Sequence, residues 1–499
     1  MLDQSRCIGC HACTVACKVE HGMELGVFRT WVKYIERGEF PDVRRHFSVM
    51  RCNHCTDAPC VEICPVEALY KREDGIVDFD TDRCIGCKAC LNGCPYDALY
   101  IDPTSHTAQK CNFCAHRVEV DLKPACEVVC PADAIISGDT HDPDSEISRL
   151  IASIPTSQRA PEQHTGPNVF YIGADEAALN PLASAGDGSY MWSQMKPEDQ
   201  LKQAPLLDEA KAVTRADISH PMPWGWKVSS YFLSKGIAAG AMMLAAVLLM
   251  IGPEGSLLAD VVPGVLALVG IAVTGLFLVW DLKQPKRFWY LFRYPQWRSW
   301  LALGAQCINA AALAALVFTV AAVFGWDGLR DVMRWVMIPT GFLLAGYTAF
   351  LFNQCEGRDL WQSPLLLPHT IVNALVAGAS ALGIVALFTA EPRELTEVLT
   401  WILIGGLLLS GALIGLDVFG KHPTHQADRA AQNLRKDLFA RRFWIGGIAV
   451  GIVVPLVLAA ISVAAGAVAL LAVAGLLALV GLWFYEDAWV RAGQSVPLS

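Results

Sequence analysis

Residues 64–102 read CPVEALYKREDGIVDFDTDRCIGCKACLNGCPYDALYID, and this stretch decides the fold of the first quarter of the chain. The tract CP-x-x-AL-Y occurs in it twice, at 64–70 and 94–100, and a looser copy lies at 130–135. Each copy follows a cysteine-rich loop. We predict that each half forms a short helix, Val66–Leu69 or Tyr96–Leu99, and then a short strand. The repeat indicates a small α+β module built from two similar halves.

Cysteines extend this pattern on both sides of the stretch. Of the 18 cysteines, sixteen lie between residues 7 and 130 and form four groups of four. The groups are Cys7, Cys10, Cys13 and Cys17; Cys52, Cys55, Cys60 and Cys64; Cys84, Cys87, Cys90 and Cys94; and Cys111, Cys114, Cys126 and Cys130. The third group has the spacing Cys-x2-Cys-x2-Cys-x3-Cys-Pro, which is typical of [4Fe–4S] proteins. We therefore predict four [4Fe–4S] clusters.

Two other uses of cysteine fit less well. Structural zinc also uses Cys-x2-Cys pairs, but it does not explain the repeated fourth cysteine followed by proline. Disulfides suit small secreted domains. The six residues before Cys7 have neither a charged start nor an apolar run, so we expect no export signal there.

The ligands are expected to cross between groups. In two-cluster ferredoxins the fourth cysteine of each run ligates the other cluster. By this rule the four ligand sets are Cys52, Cys55, Cys60 and Cys94; Cys84, Cys87, Cys90 and Cys64; Cys7, Cys10, Cys13 and Cys130; and Cys111, Cys114, Cys126 and Cys17. The result is two ferredoxin-like dicluster modules, each with pseudo-twofold symmetry. The alternative, in which each group holds its own cluster, stays open at this point.

From about residue 228 the chain consists of long apolar runs with almost no charge. A bilayer core of about 30 Å needs roughly 20 apolar residues in a helix. Eight segments meet this length: 228–251, 261–281, 300–324, 334–353, 368–390, 396–416, 444–463 and 466–486. We predict a cluster domain at 1–136, an irregular linker or interface arm at 137–223 and an all-α, eight-helix membrane domain at 224–499. Within the arm, 166–172 is predicted to add a strand and 196–213 has a weak helical pattern.

Charged loops predict the orientation in the membrane. With eight spans both termini lie on one side, and the loops and tail on that side carry thirteen Lys and Arg residues against three on the other. The positive-inside rule then places the termini and the cluster domain in the cytoplasm, with the helices in the inner membrane. No basic patch interleaved with aromatic residues suggests nucleic acid as a partner.

Electron carriers other than the clusters are restricted by the sequence. It has no dinucleotide or P-loop fingerprint, so we expect the substrate chemistry on another subunit. Membrane haem needs histidine pairs inside helices, and only His369 of the 12 histidines falls in a predicted span. We therefore expect no haem, and a lipid-soluble quinone is the remaining carrier.

Two parts of the chain resemble known families. Residues 1–172 resemble the four-cluster subunits of molybdopterin oxidoreductases of the polysulfide, tetrathionate and dimethyl sulfoxide reductase type, through CIGCHACTVACK (7–18), CNHCTDAPCVEICP (52–65), DGIVDFDTDRCIGCKACLNGCPY (74–96) and KCNFCAHR (110–117). Residues 224–486 resemble the NrfD-like membrane subunits of polysulfide reductases, through WGWKVSSYFLSKGIAAGAMM (224–243), DLKQPKRFWYLF (281–292) and YTAFLFNQCEGRDLWQSPLL (347–366). The families usually use two polypeptides, which here are fused. The resemblance implies a third subunit with a molybdenum or tungsten bis-pterin cofactor, and a menaquinone or ubiquinone site close to the cluster side of the membrane.

Six residues are candidates for the quinone site: Trp226, Tyr231, Lys235, Asp281, Tyr347 and His369. Tyr231 and Lys235 are four apart and share a helix face, and an ionisable residue inside a span indicates function. Tyr347 is included because the resemblance implies a tyrosine there.

Each candidate has a plainer alternative. Lys235 could extend to the membrane interface, and Trp226 could belong to an interfacial aromatic belt. Asp281 could pair with Lys283 or Arg287, and His369 could face water at a helix end.

We thus predict the iron–sulfur and quinone-reactive subunit of a respiratory oxidoreductase complex, with membrane lipid and quinone around its helices. Two alternatives are a redox-linked proton-translocating module, suggested by Lys235, Asp281 and Asp417, and a membrane anchor without its own quinone site.

Overall fold

The computed structural model of this protein describes residues 1–186, 191, 212–253, 255–389 and 392–499. An amino-terminal α+β region is followed by an all-helical region. The strands are β1 Leu2–Asp3, β2 Thr30–Arg37, β3 Arg44–Arg51, β4 Leu69–Lys71, β5 Val77–Phe79, β6 Leu99–Ile101, β7 Ala108–Lys110, β8 Thr156–Ser157, β9 Tyr171–Ile172, β10 Ala185–Gly186 and β11 Ala212–Ala216. The short helices of this region are α1 Ala12–Glu20, α2 Pro59–Glu62, α3 Ala89–Gly93, α4 Ala115–Val118, α5 Ala125–Val128, α6 Glu146–Ser153 and α7 Glu176–Leu179.

The repeated halves differ from the prediction in where their helices lie. The helices predicted at 66–69 and 96–99 are wrong, because α2 and α3 come before the fourth cysteine of each group instead. Glu67 and Asp97 have φ values of 52° and 49°, which are incompatible with a right-handed helix. The strands are present, and they form the antiparallel hairpins β4–β5 and β6–β7.

The turn that replaces each predicted helix binds sulfur. The Ala68 amide donates to Cys64 Sγ over 3.2 Å, and in the looser copy the Ala134 amide donates to Cys130 Sγ over 3.3 Å. Asp133 in that copy also has a positive φ, of 45°. The CP-x-x-A repeat is therefore a turn that aims an amide at the last cysteine of a group.

The segment predicted as an arm lies on the cluster domain where the structure describes it. Strand β9 pairs in parallel with β1, at the end of the predicted strand 166–172, and with β8 on its other side. Strand β11 joins a sheet of order β10-β11-β2-β3. Most of the helical pattern at 196–213 falls on 192–211, outside the described residues.

The eight predicted spans are confirmed, since the described residues contain eight helices that are long and apolar enough to cross a membrane. They are α8 Trp226–Ile251, α10 Val262–Asp281, α12 Trp300–Val323, α13 Asp327–Asn353, α14 Leu366–Val385, α15 Arg393–Phe419, α17 Arg442–Ala465 and α18 Val468–Gln494. Three short helices connect them: α9 Leu257–Asp260, α11 Tyr290–Arg293 and α16 His425–Arg435. Helix α8 is the most buried of the eight. It crosses α14 closely, since a Cβ on Gly240 would lie 1.9 Å from the Ala374 carbonyl oxygen.

The second and third cysteine groups lie directly on the membrane domain. The Lys283 amide donates to the Gly86 carbonyl over 3.1 Å, and Trp224 Nε1 donates to the Cys87 carbonyl over 3.2 Å. Asp281, at the end of α10, pairs with Lys88 at 2.7 Å rather than with Lys283 or Arg287. The loop between Cys84 and Cys90 is therefore held against the ends of two membrane helices.

Candidate functional site

The second and third groups exchange neighbours. Burial, followed by the sulfurs of Cys94, Cys52 and Cys55, raises the pKa of Cys60 well above its usual value. Likewise burial, followed by Cys87, Cys84, Cys64 and then Cys60 of the second group, raises the pKa of Cys90 well above its usual value. The structure thus brings Cys94 near the second group and Cys64 near the third, and which four thiolates share a cluster stays a prediction.

The first and fourth groups show the same arrangement. Cys7, Cys10, Cys13 and Cys130 line one small cavity. Burial, followed by Cys111, Cys126 and Cys114, raises the pKa of Cys17 to about 12.

Buried polar atoms beside the cysteines fit clusters as well. Buried polar groups in proteins are normally hydrogen-bonded, yet in the part of the chain that the structure describes several side chains next to the ligands have atoms without a partner. These atoms are Thr14 Oγ1, Arg51 Nε and Nη2, Asn53 Nδ2 and Oδ1, His54 Nε2 and Asn92 Nδ2. The sulfides of [4Fe–4S] clusters accept hydrogen bonds, so donors facing the cysteine cages suit these groups.

A second site lies among the membrane helices. Its lining includes Lys235 from α8, His369 from α14 and Glu486 from α18, between Phe232 and Trp489. We call this group of residues the membrane pocket. Lys235 and His369 are 2% and 6% exposed, so neither alternative, extension to the interface or a histidine facing water, describes them.

Four polar atoms in the membrane pocket have no hydrogen-bond partner among the described residues. They are His369 Nε2, Tyr485 Oη, Glu486 Oε2 and Trp489 Nε1. An unpaired buried polar group is costly, so four in one cavity indicate a polar ligand. The neighbouring carboxylate of Asp487 differs, because it pairs with Arg442 at 2.5 Å and with Arg491 at 2.9 Å.

Sequence reasoning missed Tyr485 and Glu486. The predicted eighth span ended at residue 486, so a carboxylate there looked like an ordinary helix end. Helix α18 in fact continues to Gln494. The signal was present in the sequence as two adjacent acids, Glu486 and Asp487, between apolar residues.

Two of the predicted quinone-site residues, Tyr231 and Tyr347, lie beside the membrane pocket but do not line it. Lys235 Nζ donates to the Ala345 carbonyl over 3.1 Å and to Thr348 Oγ1, and it lies 4.9 Å from the ring centroid of Tyr347. Tyr231 is buried and stacks on Phe232, with ring centroids 5.2 Å apart. The lysine is thereby held at the pocket wall.

Two other candidates lie elsewhere. Trp226 is 42% exposed, and its ring packs edge-on against Trp280 with ring centroids 5.5 Å apart. This exposure fits the alternative role of an aromatic residue at the membrane interface. Asp281 holds Lys88 of the third cysteine loop. Neither residue lines the membrane pocket.

Aromatic rings connect the membrane pocket with the third cysteine group. Trp224, bonded to the Cys87 carbonyl, lies 5.2 Å from Phe352 between ring centroids. Phe352 in turn lies 5.2 Å from Phe232 and 5.4 Å from Trp489, and both of these line the pocket. A continuous packed path thus joins one cysteine cage to the pocket.

Comparison with known families covers both halves of the chain. Residues 43–140 match the 4Fe-4S dicluster domain, and residues 215–496 match the family described as polysulphide reductase, NrfD.

Curated relatives match the cluster region. A tetrathionate reductase subunit of Salmonella typhimurium is 41% identical over 199 residues, which are 39% of this chain and 79% of the relative. A polysulfide reductase polypeptide of Wolinella succinogenes is 40% identical over 173 residues, 34% of this chain and 91% of the relative. A putative dimethyl sulfoxide reductase iron–sulfur subunit of Halobacterium salinarum is 37% identical over 245 residues, 43% of this chain and 88% of the relative.

Proposed function

Because the chain belongs to the polysulphide reductase, NrfD, family and carries a 4Fe-4S dicluster domain, we propose that it is the electron-transfer and membrane-anchor subunit of a reductase-type complex. It relays electrons through four [4Fe–4S] clusters between a catalytic partner and quinone in the membrane. The cluster of Cys64, Cys84, Cys87 and Cys90 lies next to the membrane domain.

The membrane pocket carries this proposal. A quinone presents two carbonyl oxygens on an apolar ring, and quinol chemistry moves two electrons and two protons. Trp489 Nε1 and the His369 ring are placed to donate to a carbonyl, whereas Glu486 can exchange a proton with it. Lys235 supplies the opposite charge on the facing wall. The aromatic path through Phe352 brings the pocket into contact with the cluster end.

A catalytic partner is expected at the end of the cluster chain away from the membrane, around the first and fourth cysteine groups. The relatives are named as subunits of reductases for tetrathionate, polysulfide and dimethyl sulfoxide. Around the first and fourth groups Val15, Val19 and Val128 are between 58% and 78% exposed, and Cys10 is exposed too. An apolar surface beside an exposed cluster ligand suits a docked protein. We propose that this partner holds a molybdenum or tungsten bis-pterin cofactor.

The native complex purified from membranes tests the proposal. We expect the complex to contain molybdenum or tungsten and a second polypeptide. Added quinol should reduce the clusters, and electron paramagnetic resonance (EPR) measures this reduction. If dithionite reduces the clusters but quinol does not, the result would favour the alternative of a membrane anchor without its own quinone site. Proton release on the opposite side of sealed vesicles would favour the translocating module.

The clusters and the positive loops occupy the same side of the helices. The loop after α10 bonds to Gly86 and Ile85 of the cluster domain, and Gln163 of the arm donates to Asp359 over 3.0 Å. Since the loop after α10 carries five of the thirteen Lys and Arg residues counted on this side, we propose that the cluster domain faces the cytoplasm.

Epitope insertion checks this orientation. A tag between Gly325 and Trp326, in an exposed loop on the side away from the clusters, should bind antibody in intact spheroplasts. A tag between Gly420 and Lys421 should bind only after lysis. The reverse pattern would place the clusters outside the cytoplasm.

A further inference from the structure

The loop between α10 and α12, residues 282–299, presents a basic and aromatic surface where two membrane helices end. It reads LKQPKRFWYLFRYPQWRS and carries five Lys and Arg residues but no acidic residue. Large aromatic side chains on such an exposed surface indicate that another molecule covers it. Four of them are between 43% and 61% exposed, namely Phe288, Trp289, Phe292 and Trp297.

Most of the positive charge of this loop is uncompensated. Four of its five cations are exposed, and among the described residues they form no ion pair with an acid: Lys283, Lys286, Arg293 and Arg298. The fifth, Arg287, turns to the cluster domain and donates to the Thr81 carbonyl over 2.6 Å. The Arg293 guanidinium lies 5.4 Å from the ring centroid of Tyr294, a contact that holds the charge in place without neutralising it.

The other long connection on the same side of the helices is different. Residues 420–441, between α15 and α17, contain acids as well as cations. There Arg429 lies 3.5 Å from Asp437, and Arg435 lies 3.7 Å from Asp428. An anionic partner is therefore needed to offset the charge of loop 282–299, whereas residues 420–441 supply much of their own.

The position of the loop identifies this partner. Gln284 Nε2 donates to the Ser105 carbonyl over 2.6 Å, and Ser299 Oγ donates to the Ile63 carbonyl over 2.8 Å, so part of the loop is fastened to the cluster domain. The loop joins two helices that are long and apolar enough to cross a membrane, and its free side chains therefore lie at the level of the membrane surface. Cations and aromatic rings together suit the headgroup layer of a bilayer, where charge and apolar surface are both satisfied.

We propose that loop 282–299 is a binding site for an anionic phospholipid of the surrounding bilayer. Its exposed cations bind the phosphate oxygens, and its aromatic rings pack beside the glycerol and the upper part of the acyl chains. A zwitterionic phospholipid offers the same chains but no net charge, so it binds this loop more weakly. The inference requires that the eight helices cross a membrane, but it does not depend on the proposed electron transfer.

Native mass spectrometry of the delipidated complex, titrated with phosphatidylglycerol or phosphatidylcholine, tests this inference, because it counts bound lipids and gives an apparent Kd for each. We expect the wild type to bind phosphatidylglycerol more tightly. In Arg293→Gln/Arg298→Gln this preference should fall on the order of tenfold, since one Lys or Arg near an anionic membrane surface contributes about fivefold. Lys421→Gln/Arg441→Gln is the matched control, because it removes two exposed cations from residues 420–441 and should keep the preference.

Three results would overturn the inference. The first is a wild type that binds both lipids equally, which needs no variant. The second is an equal fall in the control variant, which would spread the preference over the whole basic side of the protein. The third is displacement of phosphatidylglycerol by an equal concentration of inorganic phosphate, which would make the loop an anion site without a role for its aromatic rings.

Two further measurements separate folding and electron transfer from lipid binding. Arg293→Lys/Arg298→Lys keeps both charges and should retain the preference, and an unchanged iron content shows that each variant is folded. Failure of quinol to reduce the clusters in the wild type would contradict the proposed quinone-linked function and leave the lipid site standing.

Discussion

Replacing Cys94 by alanine should remove one cluster and stop electron flow between the partner and the membrane. The reason is that Cys94 lies with Cys52, Cys55 and Cys60, and its loss leaves that cage with three thiolates. Iron should fall from about sixteen to about twelve atoms per chain, because each cluster holds four. Quinol-driven reduction of the distal clusters should be almost completely lost.

Comparison with two other variants makes this experiment decisive for the ligand exchange. Cys60→Ala should lose the same EPR signal as Cys94→Ala, although Cys60 belongs to another group in the sequence. Cys90→Ala, only four residues from Cys94, should lose a different one. If Cys94→Ala and Cys90→Ala lose the same signal, each group holds its own cluster and the exchange rule is wrong here.

Replacing Glu486 by glutamine should slow quinol oxidation on the order of 100-fold, the lower end of the contribution that general acid–base groups make. Glutamine keeps the size of the side chain and one of its two oxygens, but its amide cannot take up a proton. The measurement is the rate at which quinol reduces the clusters in purified membranes. Dithionite should still reduce all clusters at the normal rate.

Glu397→Gln provides the control for this prediction. Glu397 lies in α15, is 42% exposed at its side chain and pairs with Arg393, so its replacement removes a carboxylate from a membrane helix away from the pocket. The rate of this variant should equal that of the wild type. If the Glu486→Gln rate stays within about twofold of the wild type, Glu486 is not the proton acceptor.

The pattern of neighbouring residues was enough to predict the four cysteine groups, but it was not enough to predict the local backbone or which aromatic side chains are buried. Cysteine spacing predicted the groups because cluster ligands are set by short-range loops. The helix predicted at Val66–Leu69 failed because Glu67 adopts a positive φ, which residue type alone does not reveal. Trp226 looked similar to Trp224 in the sequence, but only Trp224 turns inward and bonds to the Cys87 carbonyl.

The sequence by itself was enough to predict the sixteen cysteines as ligands, and it determined the α+β cluster region and the eight apolar helices. Thiolate spacing and apolar length are properties of consecutive residues, so they can be recognised without a fold. Only the tertiary structure decided that Lys235, His369 and Glu486, from three different helices, share one pocket. It also decided that Asp281 pairs with Lys88 across 193 residues of chain. Such contacts depend on how helices pack and on which polar atoms burial leaves unpaired, and neither is encoded by neighbouring residues alone.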